Sequence, residues 1–142
     1  MTTSIYHQSI KRLAADEIGA GTLPAADEVI TMDNPLCGDR ITLQLIMQQN
    51  HIGQVAYQVR GCMLCKAAAS IIGAAAKGCS GQEICGIHEQ LVAMLQDEAP
   101  GNWPPGWAAL SFFEPVQNHR SRHGCVLLPF KALLKVMGYG HA

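Results

Sequence analysis

The sequence carries little charge and no excess of either sign. Of its 142 residues, 15% are charged, and the formal net charge is -1. Binding to nucleic acid or to an anionic membrane surface depends on a strongly basic field. We therefore expect no nucleic acid and no membrane as partners, and proteins or small species remain.

Long apolar runs are also missing. The longest, residues 67–76, is much shorter than the roughly 20 residues that a membrane-spanning helix needs. Residues 1–17 mix charged and polar side chains with isolated apolar ones and lack the continuous apolar stretch of a secretory signal. We expect a cytoplasmic protein, and a chain of this length is most simply one domain.

Six cysteines stand out in a chain of this kind. Cytosolic thiols are kept reduced, so a disulfide framework is not expected. Metal, persulfide or redox chemistry is the better interpretation. Cys79 and Cys85 flank a predicted helix start and are interpreted as small apolar side chains of the core.

Apolar alternation predicts three strands in succession. Residues 28–33 form a short apolar strand, and residues 41–47 and 54–60 each place an apolar side chain at every second position. Residues 49–53 are predicted to be the turn between the last two strands. Three consecutive strands with short links indicate an antiparallel meander.

Helical spacing predicts about five helices. The predicted ranges are residues 5–18, an alanine-rich stretch at 63–76, a stretch that runs from a Ser80–Glu83 capping box towards Pro100-Gly101, a short helix at 107–113, and residues 121–137. Pro129 is predicted to interrupt the last helix and to leave Cys125 near its start. Strands followed by helices predict an α+β domain with the helices on one face of a small sheet.

Four side chains that could bind one cation lie at strand ends or helix starts. Two of them, Cys37 and Asp39, share a tight turn in which Pro35 stiffens the backbone and Gly38 lets it bend. Three thiolates and one carboxylate make a tetrahedral set for zinc or for the irons of a small cluster. They form the predicted ligand set: Cys37, Asp39, Cys62 and Cys125.

Asp39 gives this set a harder donor than its thiolates. Metals in sulfur-rich sites prefer soft ligands, so a carboxylate oxygen should hold its metal less firmly and open more readily. A site that releases its contents would use such a weak ligand. An aspartate beside a glycine is equally typical of a plain turn, and both interpretations stay open.

Three motifs occur in a characteristic order: Asn34-Pro35-x-Cys37-Gly38-Asp39, then Gly61-Cys62 before an alanine- and serine-rich helix, then Arg122-x-x-Cys125 followed by Lys131-Ala132-Leu133. Together they resemble the U-type iron-sulfur cluster assembly family, which comprises NifU N-terminal, IscU and SufU proteins. The resemblance covers residues 30–134. It implies a single domain over residues 1–142, a three-stranded antiparallel sheet covered by about five helices on one face, and binding of a metal or cluster by the predicted ligand set.

Two features are similar to the SufU-like branch of this family. Cys62 and Cys125 lie 63 positions apart, and Gly124 stands where cluster-assembling members have a histidine. The resemblance to this branch implies zinc binding and acceptance of persulfide sulfur from a cysteine desulfurase. The other members assemble a [2Fe-2S] cluster and pass it on to apo-proteins. The Leu-Pro-Pro-Val-Lys motif that binds the family's chaperone is missing.

The combined interpretation is an iron-sulfur cluster assembly scaffold that transiently binds a [2Fe-2S] cluster or iron, and that is not an enzyme in the usual sense. The alternative is a zinc-dependent (Zn²⁺) sulfurtransferase that accepts persulfide sulfur. The expected partners are a cysteine desulfurase and apo-protein cluster acceptors, and Cys37 and Cys125 are the candidate sulfur acceptors. Arg122 is expected to support the site, because a positive charge favours a neighbouring thiolate.

Cys65 leaves a further alternative open. A strand that runs into Cys62-x-x-Cys65 at a helix start is typical of a thioredoxin-like dithiol oxidoreductase. The antiparallel order of the predicted strands does not favour that fold, and Cys65 as a buried neighbour of the site is the preferred interpretation. A purely structural zinc domain is a last alternative, and it predicts unfolding on chelation.

Overall fold

The computed structural model describes residues 7–98 and 102–139. The elements in chain order are helix α1 (Gln8–Asp16), strands β1 (Glu28–Asn34), β2 (Asp39–Gln48) and β3 (His51–Arg60), helices α2 (Met63–Ala75) and α3 (Gly81–Leu95), a long 3-10 helix (Ala108–Asn118), a 3-10 turn (Arg120–Arg122) and helix α4 (His123–Val136). The predicted α+β class is confirmed, with a three-stranded sheet and five helices.

The sheet is antiparallel throughout, in the order β1-β2-β3. The connection between β2 and β3 is shorter than the predicted turn over residues 49–53. Gln49 and Asn50 both have positive φ values, 52° and 67°, and such a two-residue turn matches the twist of a hairpin. Because the turn needs only two residues, β3 begins at His51.

One face of the sheet is covered by helices. Along β2 the side chains of Ile41, Leu43 and Leu45 are fully buried, as the period of two predicts. Helix α4 packs against β1 and β2, and helix α2 packs against β3 and α4. The predicted core therefore lies between the sheet and these two helices.

The helix boundaries differ from the predicted ones at several ends. Ser80 and Glu83 form the capping box of α3, but α3 ends at Leu95, and Pro100-Gly101 lies outside the described residues. So do Ile5 and Tyr6 of the predicted first helix, which the structure gives as Gln8–Asp16. The short helix predicted at 107–113 is the 3-10 helix that reaches Asn118.

Helix α4 begins at His123 and continues through Pro129. The predicted interruption is thus absent, although proline removes one hydrogen bond of the helix and leaves the carbonyl of Cys125 without its helical donor. Cys125 lies in the first turn of α4, as predicted. Across the described ranges, no helix combines the length and apolar character that crossing a bilayer requires.

Candidate metal centre

The hairpin between β1 and β2 places Cys37 and Asp39 at one end of the sheet. Asn34 and Asp39 are paired in the register of the two strands, so only residues 35–38 connect them. The backbone N–H groups of Cys37 and Gly38 donate to the carbonyl of Asn34, at 3.3 and 2.9 Å. Gly38 has φ of 72°, a left-handed conformation that glycine adopts readily. The Cys37 thiol is therefore held on a tight turn.

Cys62 reaches the same end of the sheet from β3. It is the residue before the first turn of α2, and its backbone N–H donates to Asp39 Oδ1 at 2.8 Å. Gly61 precedes it, and a Cβ at that position would overlap the Asp39 carboxylate. The absence of a side chain at position 61 therefore lets this carboxylate approach the start of α2.

Cys125 approaches from α4, which packs on β1 and β2. Its side chain is fully buried, and its Sγ lies 2.8 Å from Cys37 Sγ. Both residues are free cysteines, and 2.8 Å is longer than the roughly 2.05 Å of a disulfide bond. The first turn of α4 thus brings a third thiol to the hairpin.

The ligand atoms of Cys37, Asp39 and Cys125 all lie within 4.8 Å of one another. Cys62 falls outside that closest group, but its Sγ is 3.4 Å from Asp39 Oδ2, and Cys37 Sγ is 3.3 Å from the same oxygen. The structure therefore brings the whole predicted ligand set together. In residues 7–98 and 102–139, no other three histidine, cysteine or acidic side chains bring their ligand atoms within 4.8 Å of one another.

The carboxylate of Asp39 is the acceptor on which the thiols converge. Its side chain is only 1% exposed, and burial by itself raises its pKa. The Cys62 N–H and the thiols of Cys125, Cys37 and Cys62 donate hydrogen bonds that outweigh burial, so the pKa of Asp39 lies below its usual value. Asp39 is therefore charged at neutral pH and supplies the negative charge of the site.

The pKa values of two of the thiols shift in the opposite direction to that of Asp39, because burial is not outweighed there. Burial raises the pKa of Cys125, and the hydrogen bonds of Cys125 with Cys37 and Asp39 raise it further. Burial also raises the pKa of Cys62, and a hydrogen bond from the backbone N–H of Cys65 offsets part of this rise, with a smaller contribution from the positive charge of Arg122. A cation that binds these sulfurs must therefore displace protons from them.

The supporting residues divide into two kinds. The positive charge of Arg122 lowers the pKa of Cys62, a small effect beside burial, and the supporting role of Arg122 stays a prediction. Cys65 lies in the core, fully buried, and burial raises the pKa of its thiol. It is not part of the closest group of ligand atoms, and its surroundings are the reverse of those that activate a reactive thiol.

His123, Cys79 and Cys85 do not belong to the closest group of ligand atoms. His123 Nε2 contacts the carbonyls of Val116 and Gln117, at 3.0 and 3.2 Å, so its ring is engaged with the 3-10 helix. Cys79 and Cys85 are free and partly buried near the start of α3. Trp107 and Phe113 are buried in the core, and Phe112 is partly exposed.

The chemistry of the donor set fits a thiophilic metal. Three sulfurs and one carboxylate oxygen converge, and these are donors that zinc and the irons of small clusters accept. Two features of the site were not assigned a role in the sequence. They are the side chain of Asn34, which donates to Cys37 Sγ at 2.9 Å, and the missing side chain of Gly61. The Asn-Pro-x-Cys pattern in the sequence could have indicated the contact between Asn34 and Cys37.

The sequence was also compared with those of known protein families. The family model of the NifU-like N terminal domain matches residues 5–102. That range contains Cys37, Asp39 and Cys62, and Cys125 lies beyond it.

Three curated relatives carry the name iron-sulfur cluster assembly scaffold protein. Two are IscU 1 and IscU 2 of Archaeoglobus fulgidus, each 34% identical over 84 residues, which are 59% of this chain and 52% of theirs. The chain thus spans about half the length of these two relatives. The third is IscU of Thermotoga maritima, 25% identical over 134 residues, or 94% of this chain and 92% of that protein.

Solved structures extend the likeness to the whole fold. A nitrogen-fixing NifU-like protein (N-terminal) from Brucella abortus superposes with a TM-score of 0.89 at 27% identity, and covers 95% of this chain and 93% of its own. A putative iron-sulfur cluster assembly scaffold protein for the SUF system from Fervidobacterium islandicum gives 0.85 at 23% identity, with 94% and 96% covered. The second likeness shows the fold alone.

Proposed function

This chain belongs to the NifU-like N-terminal domain family, and from that premise we propose that it is a scaffold on which an iron-sulfur cluster is assembled and then released. The observation that carries the proposal is the convergence of the predicted ligand set at one end of the sheet. The names of the three IscU relatives support the same function. We further propose that the protein acts in the cytoplasm.

In this proposal the cluster is a cargo that the predicted ligand set holds for a limited time. Cys37, Cys62 and Cys125 bind the irons as thiolates. Asp39 contributes a harder oxygen donor, and metals in sulfur-rich sites bind such an oxygen less firmly than they bind thiolates. The network of hydrogen bonds already made to the Asp39 carboxylate supports this role, since the carboxylate can return to its thiol and N–H donors when the cluster leaves.

Sulfur would arrive as the persulfide of a cysteine desulfurase. The Cys37 thiolate attacks the outer sulfur of that persulfide, a new S–S bond forms on Cys37, and the desulfurase cysteine leaves as its thiolate. Cys37 is the better acceptor of the two candidates because it is partly exposed on a turn, whereas Cys125 is fully buried. Two electrons from an external reductant would then convert the outer sulfur of the Cys37 persulfide to sulfide for the cluster and regenerate the Cys37 thiolate. Apo-proteins would receive the finished cluster.

Zinc-dependent sulfur transfer is the second candidate. One observation favours it: three sulfurs and one oxygen are also a complete four-coordinate set for zinc. In that case zinc would occupy the predicted ligand set at rest, and Cys37 would leave the metal to accept sulfur. A dithiol couple of Cys62 and Cys65 has no comparable support, because Cys65 is fully buried and the sheet is antiparallel.

Anaerobic reconstitution with iron and sulfide separates the two candidates. After the metal content of the purified protein is measured, visible absorption is followed in the wild type and in Asp39→Ala. A scaffold gives a visible chromophore that persists longer in Asp39→Ala, because the weak ligand has been removed. Tight zinc, no chromophore and stimulation of a desulfurase would contradict the scaffold and favour the sulfur acceptor.

A further inference from the structure

Asn34 is a polar side chain at the metal centre that the ligand chemistry does not use. It is 9% exposed and ends strand β1. Its Oδ1 accepts the backbone N–H of Leu36 at 3.2 Å. That bond turns the amide nitrogen towards the site, where Nδ2 lies 2.9 Å from Cys37 Sγ. One side chain therefore both closes the turn and donates to the sulfur.

The space that Asn34 occupies depends on a glycine in another element. A Cβ on Gly124 would lie 2.8 Å from Asn34 Nδ2, with Asn34 Cγ and Oδ1 next nearest at 3.5 and 3.7 Å. Real Cβ atoms essentially never come closer than 3.0 Å to such a neighbour. Any side chain at position 124 would therefore push the Asn34 amide away from the sulfur. The three heavy atoms nearest to such a Cβ all belong to Asn34.

Hydrogen bonds from N–H groups to a coordinating sulfur change its properties as a ligand. They fix the direction of its lone pairs and withdraw electron density from it, and such contacts tune metal affinity and the reduction potential of clusters. Asn34 is not titratable, so its amide remains a donor at every working pH. It can therefore act on Cys37 whether or not a metal is bound.

We infer that Asn34 is a positioning residue for Cys37. Its amide directs the Cys37 sulfur towards Asp39 and Cys125 and weakens that sulfur as an electron donor, and position 124 is glycine because the amide fills the space of a side chain. The inference rests on the proposed function, since it assumes that Cys37 binds a metal. It adds a residue pair, Asn34 and Gly124, to the four that supply ligand atoms.

A structural role is the rival explanation, and Asn34→Asp separates the two. An aspartate keeps the oxygen that accepts the Leu36 N–H, so the turn can still close. It replaces the donor that faces Cys37 with an acceptor. If Asn34 serves only the turn, Asn34→Asp therefore behaves as the wild type, whereas Asn34→Ala loses both functions.

The test uses Co²⁺ as the probe and the full chain as the protein. Removing the N–H donor should make the sulfur a stronger electron donor, so the sulfur-to-cobalt charge-transfer band should move to longer wavelength in Asn34→Asp. Co²⁺ binding should nevertheless weaken by about 10-fold, within the range found for such outer contacts, because the Cys37 sulfur is no longer directed towards the other ligands. The thermal midpoint of the metal-free variant serves as the control for folding.

Gly124→Ala completes a double-mutant cycle. In the wild-type background it should shift the band in the same direction as Asn34→Asp, because the new Cβ displaces the amide. In an Asn34→Ala background it should cause no further shift, since the side chain that it would meet is gone. An equal shift in both backgrounds would overturn the role given to Gly124.

The remaining outcomes separate this inference from the proposed function. A wild type that binds Co²⁺ through thiolates, together with an Asn34→Asp band at the wild-type position, overturns the inference and leaves the proposed function standing. A wild type that shows no thiolate-to-cobalt band at all overturns both.

Discussion

Cys37 and Cys125 can be compared with Cys79 and Cys85, two thiols near the start of α3. The first two lie 2.8 Å apart and share a charged carboxylate. Cys79 Sγ donates to the carbonyl of Ala75, at 3.7 Å, and burial raises the pKa of both Cys79 and Cys85. A cysteine alone is therefore no sign of a site. What marks the metal centre is the meeting of three separate chain segments around one carboxylate.

The largest expected contrast is between Cys125→Ser and Cys85→Ser. Removing a thiolate from the predicted ligand set should weaken Zn²⁺ or Co²⁺ binding by at least about 100-fold, because soft metals bind hydroxyl groups poorly. The same exchange at Cys85, which lies outside the set, should leave the affinity unchanged. Competition titration with a chromophoric chelator measures both affinities. Equal losses of affinity in the two variants would contradict the distinction between the metal centre and the thiols near α3.

A matched pair of glycines sharpens the comparison at the level of the backbone. Gly61→Ala should displace the Asp39 carboxylate and weaken metal binding by about 10-fold to 100-fold. Gly86 lies in α3 with open space around it, so Gly86→Ala should leave binding unchanged and stabilise the protein by about 0.5–1 kcal/mol.

Chelator titrations and thermal unfolding of the two metal-free glycine variants provide these numbers. Unchanged metal affinity in Gly61→Ala would show that the fit between position 61 and the carboxylate does not matter for binding.

The smallest expected effect is that of metal removal on the fold. Between the sheet, α2 and α4 the core consists mainly of aliphatic and aromatic side chains, which do not bind metals, although the predicted ligand Cys125 is buried among them. Treatment with EDTA should therefore leave the far-ultraviolet circular dichroism spectrum and a cooperative thermal transition in place. Unfolding on chelation would instead support a structural zinc domain, in which metal binding and folding are one event.

Much of the fold could be predicted from local pattern. The alternation along β2 gave the buried face, and the capping box gave the start of α3 within one residue. The ends of elements that depend on three-dimensional geometry were harder to predict from the sequence. The two-residue turn at Gln49-Asn50 requires positive φ values, and neither residue is a glycine, which would have indicated them. Helix α4 continues through Pro129 because its packing against the sheet supports it.

The predicted ligand set could be proposed because its residues stand in short motifs at the ends of elements. That these four residues are the ligands stays a prediction, as does the single-domain organisation. The contacts that hold them could not be foreseen. Asn34 meets Gly124, and Asp39 meets Gly61, only after α4 and β3 have packed beside the hairpin. The sequence shows that positions 61 and 124 are glycines, but the reason for each glycine can be given only when its neighbour in space is known.

X-ray absorption of the Zn²⁺-loaded protein tests the central claim most directly. The account predicts three sulfur neighbours at about 2.3 Å and one oxygen at about 2.0–2.2 Å around a single zinc ion. A shell of nitrogen and oxygen with no more than one sulfur would contradict it, because the thiols of Cys37, Cys62 and Cys125 would then not share one metal.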